Sequence, residues 1–240
     1  MTLSAVTRQH FKRASSATLT TQLFKRGLRN VYIQGVHRMS KPGANMVGEA
    51  FTLRYIPARE DLDHIAVFEN PEHPQRKSIE VTPAGHVLVM DCRRDTRAAS
   101  GGSILLTRLG VRGVAGVVTD GGMRDSDTIA GMAFPVYGAG GSPPLNLVIH
   151  HAVDFNVPIG CGGVAVFPGD VIVGDAEGVV VVPAHLADEV ARDAAEQVVL
   201  EEFVMQEVAG GRPLAGTYPP NADTIARYKL WREQRDKKIK

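Results

Sequence analysis

The sequence predicts an α/β fold: one domain with a helical C-terminal extension. Three observations carry that prediction. Two short apolar runs, HVLVMD (86–91) and VAGVVTD (114–120), flank a helical stretch, SILLTRLGVRG (103–113), the pattern of a parallel βαβ unit with a right-handed crossover. Two later segments, VPIGCGGVAVFPGD (157–170) and DVIVGDAEGVVVVP (170–183), are rich in valine and punctuated by turn residues, which adds strands. Residues 184–209 repeat Leu186, Val190, Ala194, Val198, Phe203 and Val208 along one side, which predicts the longest helix, stopped by Gly210-Gly211.

The remaining elements follow in chain order. Residues 1–15 read as an N-terminal arm, and SATLTTQLFKRGLR (16–29) as a helix with Leu19, Leu23 and Leu28 near helical spacing. VYIQGV (31–36) and VGEAFTLRYIP (47–57) read as strands joined by the turn chemistry of MSKPGAN. The charged segment 58–81 holds prolines and lacks a period, so it reads as a surface excursion with one helical turn. SDTIAGMA (126–133) reads as a short helix capped by Ser126, and FPVYGAG (134–140) as a strand ended by glycine. The domain is expected over 16–212 and the extension over 213–240, with a helix around Tyr228 and Trp231 and a disordered basic end, RDKKIK.

Composition narrows the function. With 27 basic and 26 acidic residues, nothing suggests a nucleic-acid partner. No run approaches the roughly 18 apolar residues that span a bilayer, and no apolar region follows the basic N-terminus, so no membrane association and a cytoplasmic location are expected. Two cysteines, Cys92 and Cys161, are too few for a disulfide framework and read as buried free thiols.

Chemistry concentrates at the carboxyl ends of the two apolar runs, where Asp91 and Asp120 stand on one rim. There TDGGMRDS (119–126) offers glycines for a sharp turn and for amides close to a ligand, Arg124 as a planar fork for a carboxylate, and Asp125 beside it. A bound acid next to Asp125 calls for a hard divalent ion such as Mg²⁺ between them; the other reading of the same residues is a turn held by an Arg–Asp ion pair. ASGGSILL (99–106) opens a helix whose free N–H groups form an anion site, or an ordinary helix capped by Ser100 or Ser103. His150, His151 and Asp154 are metal-ligand types, but adjacent histidines face different ways and read as structural. GCGG and GAGG lack the context of a dinucleotide fold.

The run GGSILLTRLGVRGVAGVVTDGGMRDSDTIAGMAFPVYGAG, followed by VFPGDVIVGDAEGVVVVP, resembles the RraA-like family, which includes 4-hydroxy-4-methyl-2-oxoglutarate aldolases and regulators of ribonuclease E. The resemblance implies a swivelling β/β/α sandwich, assembled as a homotrimer or homohexamer with sites between subunits. It implies a class II lyase that uses Mg²⁺ or Mn²⁺ to cleave a small 4-hydroxy-2-oxo acid and release pyruvate, with oxaloacetate decarboxylation as a companion activity. Arg124 then binds the substrate carboxylate, Asp125 ligates the metal, and Gly102, Ser103, Ile104 and Leu105 hold the pyruvate moiety. Glu201, or next Glu202, reaches in from a neighbouring subunit. Ser103 departs from the acidic residue that family aldolases tend to carry, which removes one carboxylate from around the metal. Two alternatives stand beside this: a dehydratase or related lyase of 2-oxo-3-deoxy sugar acids, and a non-catalytic regulator that binds a ribonuclease.

Overall fold

In the computed structural model, which describes residues 2–239, the chain opens with two helices, Ala5–Arg13 (α1) and Ser16–Lys25 (α2). Each starts at a serine that accepts the amide three residues on, Ser4 from Thr7 and Ser15 from Thr18. α1 fills the segment read as an arm; Phe11 is fully buried and Arg8 pairs with the buried Glu49 at 2.7 Å. α2 ends earlier than expected, before the left-handed Gly27. VYIQGV makes only the bridge Tyr32 to Val180, because Gly35 turns with φ 77° and the ladder begins later, at His37–Arg38 (β1).

Met46–Pro57 (β2) is the spine of the sheet. The excursion after it is more regular than expected, with a 3₁₀ turn at Ile65–Glu69 and a helix, Pro74–Val81 (α3), started by proline. Then come Val87–Asp91 (β3), Ala99–Gly101 (β4), Ser103–Val111 (α4), Gly116–Thr119 (β5), Gly122–Met123 (β6), Ser126–Ala130 (α5) and Val136–Gly138 (β7). His150–Phe155 (β8) is a strand; His150 is buried and His151 bonds Asp63 at 2.8 Å, not Asp154, so the two histidines do face different ways. The segment 157–170 is itself a hairpin, Ile159–Cys161 (β9) with Val164–Val166 (β10), turned by Gly162 and Gly163. The expected hairpin follows, Val171–Gly174 (β11) with Val179–Val182 (β12).

The large sheet runs β1-β7-β5-β3-β2-β11-β12. β2, β3, β5 and β7 are parallel, as the βαβ pattern predicts. On its other edge β2 pairs antiparallel with β11 through Met46–Glu49 and with β8 through Leu53–Pro57. The sheet thereby nearly closes around Met46, Val87, Val89, Val118, Ile172 and Cys161. Leu88, Met90 and Val117 face outward under α3 and α4. Phe11, Leu19, Leu23 and Val173 pack beneath the long helix Ala187–Ala209 (α6) on the far side. Each such side chain contributes about 1.5–3 kcal/mol by leaving water. These layers are the β/β/α sandwich expected from the sequence, and both cysteines are free and buried.

The extension ends in Ala222–Ile239 (α7), which lies on α6 through Phe203, Tyr228 and Trp231 with ring centroids 5.5–6.2 Å apart. The RDKKIK end is helical through Ile239 rather than disordered, because Arg235 pairs with Glu202 at 3.0 Å and covers Trp231; Lys240 lies outside the described residues.

Candidate functional site

Strands β3 and β5 run parallel, so the loops that follow them meet at one edge. Asp120 joins those loops. It is 2% exposed; its Oδ1 accepts the Cys92 amide at 2.6 Å, and its Oδ2 accepts the amides of Arg94 at 3.1 Å and Gly162 at 3.0 Å. The first two bonds hold Cys92 and Arg94 on either side of Arg93, the two arginines both in the left-handed region at φ 59°, and the third ties their loop to the β9–β10 hairpin. Asp91 accepts Arg93 and Gly160 amides in the same loop region, and burial pushes its carboxyl pKa up. Both rim aspartates are committed to backbone amides.

The glycines of TDGGMRDS are required for close packing rather than for a turn. A Cβ on Gly121 would lie 2.7 Å from Cys92 Cβ, and one on Gly122 would lie 2.5 Å from Ser142 Cβ. Gly122 and Met123 pair in parallel with β4, and the Arg124 amide donates to Gly101 O at 2.9 Å. The turn falls instead on Asp125, with φ 61° and ψ 43°, a conformation aspartate tolerates better than most side chains. Asp125 also precedes α5, so Ser126 is that helix's first residue and not its cap.

Turned this way, Asp125 reaches α4. Its Oδ2 accepts the Ser103 amide at 3.0 Å and the Ser103 hydroxyl at 2.8 Å, so the helix is capped from a neighbouring loop and not by Ser100 or Ser103. Ser100 donates to Gly122 O instead. The Ser103 hydroxyl and amide hold the Asp125 carboxyl below the ordinary aspartate range. A depressed carboxylate pKa means the cap is complete above the ordinary value and fails only as pH falls through the lowered one. Ser103→Ala should therefore raise the Asp125 pKa toward the ordinary value of about 3.9. Carboxyl-carbon NMR titration checks this, and an unmoved pKa contradicts it.

Gly102 is the tight point. A Cβ there would lie 2.9 Å from Asp125 Oδ2 and 3.3 Å from Arg124 Cβ, while its backbone, at φ −148°, suits any residue. Gly102→Ala should leave thermal stability nearly unchanged while pushing the Asp125 carboxylate off Ser103, so that its pKa rises toward the ordinary range; an unmoved pKa in the same carboxyl-carbon titration contradicts this.

Arg124 and Asp125 are both exposed, and their ion pair does not form; Asp125 is committed to Ser103. They line a cavity of about 330 Å³ together with Gly102, Ile104 and Leu105. As the second and third residues of α4, Ile104 and Leu105 have amides without an intrahelical acceptor. The cavity thus joins a guanidinium, a helix N-terminus and one carboxylate whose Oδ1 is free of hydrogen bonds among the described residues. No cluster of three His, Cys, Asp or Glu side chains occurs among the described residues. A single carboxylate suits Mg²⁺ or Mn²⁺, ions that take one or two protein carboxylates and fill their other positions with water or substrate oxygens. Among the described residues no lysine lines this cavity.

Glu201 lies elsewhere, on α6, where it accepts from Gln197 at 2.7 Å and Thr18 at 3.5 Å. Glu202 pairs with Arg235. Gln75, Arg76 and Asn146 also line the cavity. They sit in segments with no local pattern pointing to a site, and only the packing of α3 and the loop before β8 against α4 brings them there.

A family model described as RraA-like, Aldolase/RraA, matches residues 16–181. A protein of Halalkalibacterium halodurans named "Putative 4-hydroxy-4-methyl-2-oxoglutarate aldolase" is 37% identical over 115 residues, 48% of this chain and 54% of that protein. Protein DlpA of Legionella pneumophila is 26% identical over 72% of this chain and 27% of its own length. The chain thus spans about half, or less, of the length of these relatives. Streptomyces coelicolor RraAS2, described as an unusual member of the RNase ES inhibitor RraA protein family, superimposes with a TM-score of 0.74 at 28% identity, covering 85% of this chain and 97% of that one. A Pseudomonas syringae protein shares the fold with a TM-score of 0.77 at 24% identity, over 91% of this chain and 99% of its own.

Proposed function

Because this chain belongs to the RraA-like family, we propose that it is a divalent-metal-dependent lyase that cleaves a small 4-hydroxy-2-oxo acid by retro-aldol reaction and releases pyruvate. One observation supports this above the others: Asp125 spends Oδ2 on Ser103 and leaves Oδ1 without a hydrogen-bond partner among the described residues, beside an Arg124 with which it makes no close ion pair.

In this reading the Arg124 guanidinium takes the substrate's C1 carboxylate in a two-pronged grip, and the Ile104 and Leu105 amides add a partial positive charge at the N-terminus of α4. Asp125 Oδ1 is the atom that would hold the metal ion. When bound, the ion supplies the electron withdrawal from the 2-oxo group that breaking the C3–C4 bond requires. Ser103 keeps the carboxylate ionised and fixed in direction, so no reorganisation is needed as charge develops. The absence of a lysine from the cavity lining leaves no candidate there for Schiff-base chemistry. Asp125 is also the only carboxylate among the lining residues. The group that takes the 4-hydroxyl proton and returns it to C3 as pyruvate leaves must come from elsewhere, and Glu201 of a second copy in a homotrimer or homohexamer is the residue we assign to it.

The test is pyruvate release from 4-hydroxy-4-methyl-2-oxoglutarate, 4-hydroxy-2-oxoglutarate and oxaloacetate with Mg²⁺, after EDTA, and after Mg²⁺ is restored. Turnover lost to EDTA and recovered with the ion is expected. Turnover indifferent to EDTA removes the metal, and no turnover across the panel and 2-oxo-3-deoxy sugar acids leaves a non-catalytic binding role.

A further inference from the structure

A second cavity opens at the opposite end of the sheet. Gly85, Ala115 and Pro135 line it, and they stand just before β3, β5 and β7, at the amino ends of the parallel strands. Its volume is about 490 Å³, against about 330 Å³ for the cavity at α4. The five residues of β3, at roughly 3.3 Å each, lie between the two ends, so a molecule bound here touches nothing at Arg124 or Asp125.

Among the described residues three cations line this cavity, Arg8, Lys12 and Arg38, and no carboxylate does. Arg8 is neutralised by Glu49 at 2.7 Å, but Lys12 and Arg38 have no carboxylate partner among the described residues. Arg38 is held in place without being satisfied. Its guanidinium lies 5.8 Å from the Tyr137 ring centroid, Nη1 donates to Gly43 O and Ala44 O at a long 3.3 Å, and Nε is buried with no partner. Buried polar atoms are nearly always paired, so this guanidinium is short of acceptors. The cavity therefore carries two uncompensated positive charges beside a wall of small apolar residues, Ala44, Ala115, Ala133 and Pro135.

We propose that Arg38 and Lys12 form a second ligand site, which takes a phosphate monoester the size of a nucleoside monophosphate. The phosphate lies between the two cations and the organic body against the alanines and Pro135. A phosphate monoester carries a charge of about −1.5 to −2 at pH 7 on one group with three acceptor oxygens, which matches two cations, one of them a planar fork. A dicarboxylate spreads the same charge over two separate groups. Inorganic phosphate meets the cations but leaves the apolar wall uncovered and most of the volume empty.

Calorimetric titration of the full chain with AMP, UMP, adenosine, inorganic phosphate and succinate tests this. At least one nucleotide should bind about tenfold or more tightly than adenosine, phosphate or succinate, since each of those three lacks one part of the match. Arg38→Gln should weaken that nucleotide by about 10- to 100-fold, the range of a hydrogen bond to a charged group, and Arg38→Lys should restore part of the loss. Lys12 is exposed, so Lys12→Gln keeps the fold; it should weaken binding by a smaller factor that shrinks with added salt. Arg124→Gln should leave nucleotide binding unchanged. The proposal is overturned if neither nucleotide binds at millimolar concentration, or if phosphate or succinate binds as tightly. It is also overturned if binding ignores both Arg38→Gln and Lys12→Gln, or is lost in Arg124→Gln, which would move the nucleotide to the cavity at α4. Pyruvate release plays no part in these readings, so the site stands or falls apart from the lyase reading.

Discussion

Asp125→Asn should lower metal-dependent pyruvate release by about 10³-fold, the loss seen when a group that stabilises developing charge is removed. Asparagine tolerates the left-handed backbone at φ 61°, and its carbonyl oxygen can still accept from Ser103, so the local fold survives. The change is confined to charge. Steady-state kinetics at saturating Mg²⁺, beside thermal unfolding, checks both halves: turnover should collapse while the midpoint stays within a few degrees. Undiminished turnover would take Asp125 out of the chemistry.

Asp120→Ala should have the largest effect on stability, about 3–4 kcal/mol, because three backbone donors lose a buried side-chain acceptor at once. The loop so loosened contains two left-handed arginines, of which Arg94 loses its amide partner while Arg93 keeps its bonds to Asp91, Ile149 and His150. Asp120→Asn should recover little, since its NH₂ must then face one or two of the same donors. Denaturant unfolding of both variants decides this, and a loss under about 1 kcal/mol, the size of a single neutral hydrogen bond, would contradict it.

These two aspartates, five residues apart, show how far the sequence could be read. Continuous apolar runs such as HVLVMD and GVVTD announce buried parallel strands, because no other element pairs so little polarity with such short length. That pattern placed Arg124 and Asp125 at the rim and next to the start of α4, where they lie. It could not separate the roles of Asp120 and Asp125, which look alike in sequence and differ only in whether they are buried under a hairpin 40 residues on. The glycines of TDGGMRDS look like turn residues for a related reason: their lack of side chains serves contacts with Cys92 and Ser142, which are remote in the chain. α1 has only two buried residues, so its helix is set by α6 and Glu49 rather than by its own periodicity. β8, with HHAVDF, alternates histidine, alanine and aspartate and carries no strand signal until β2 is beside it. Gln75 and Asn146 were illegible because an unpaired buried atom has no sequence signature.

The lyase reading meets its most direct test in a crystal structure with pyruvate and Mn²⁺, whose anomalous signal locates the ion. The expected result is an ion beside Asp125 Oδ1, the pyruvate carboxylate held by Arg124 and the Ile104 and Leu105 amides, and Glu201 of a second copy close to the site. Pyruvate and ion bound away from Arg124 and Asp125, or no binding at millimolar concentrations of both, would contradict it.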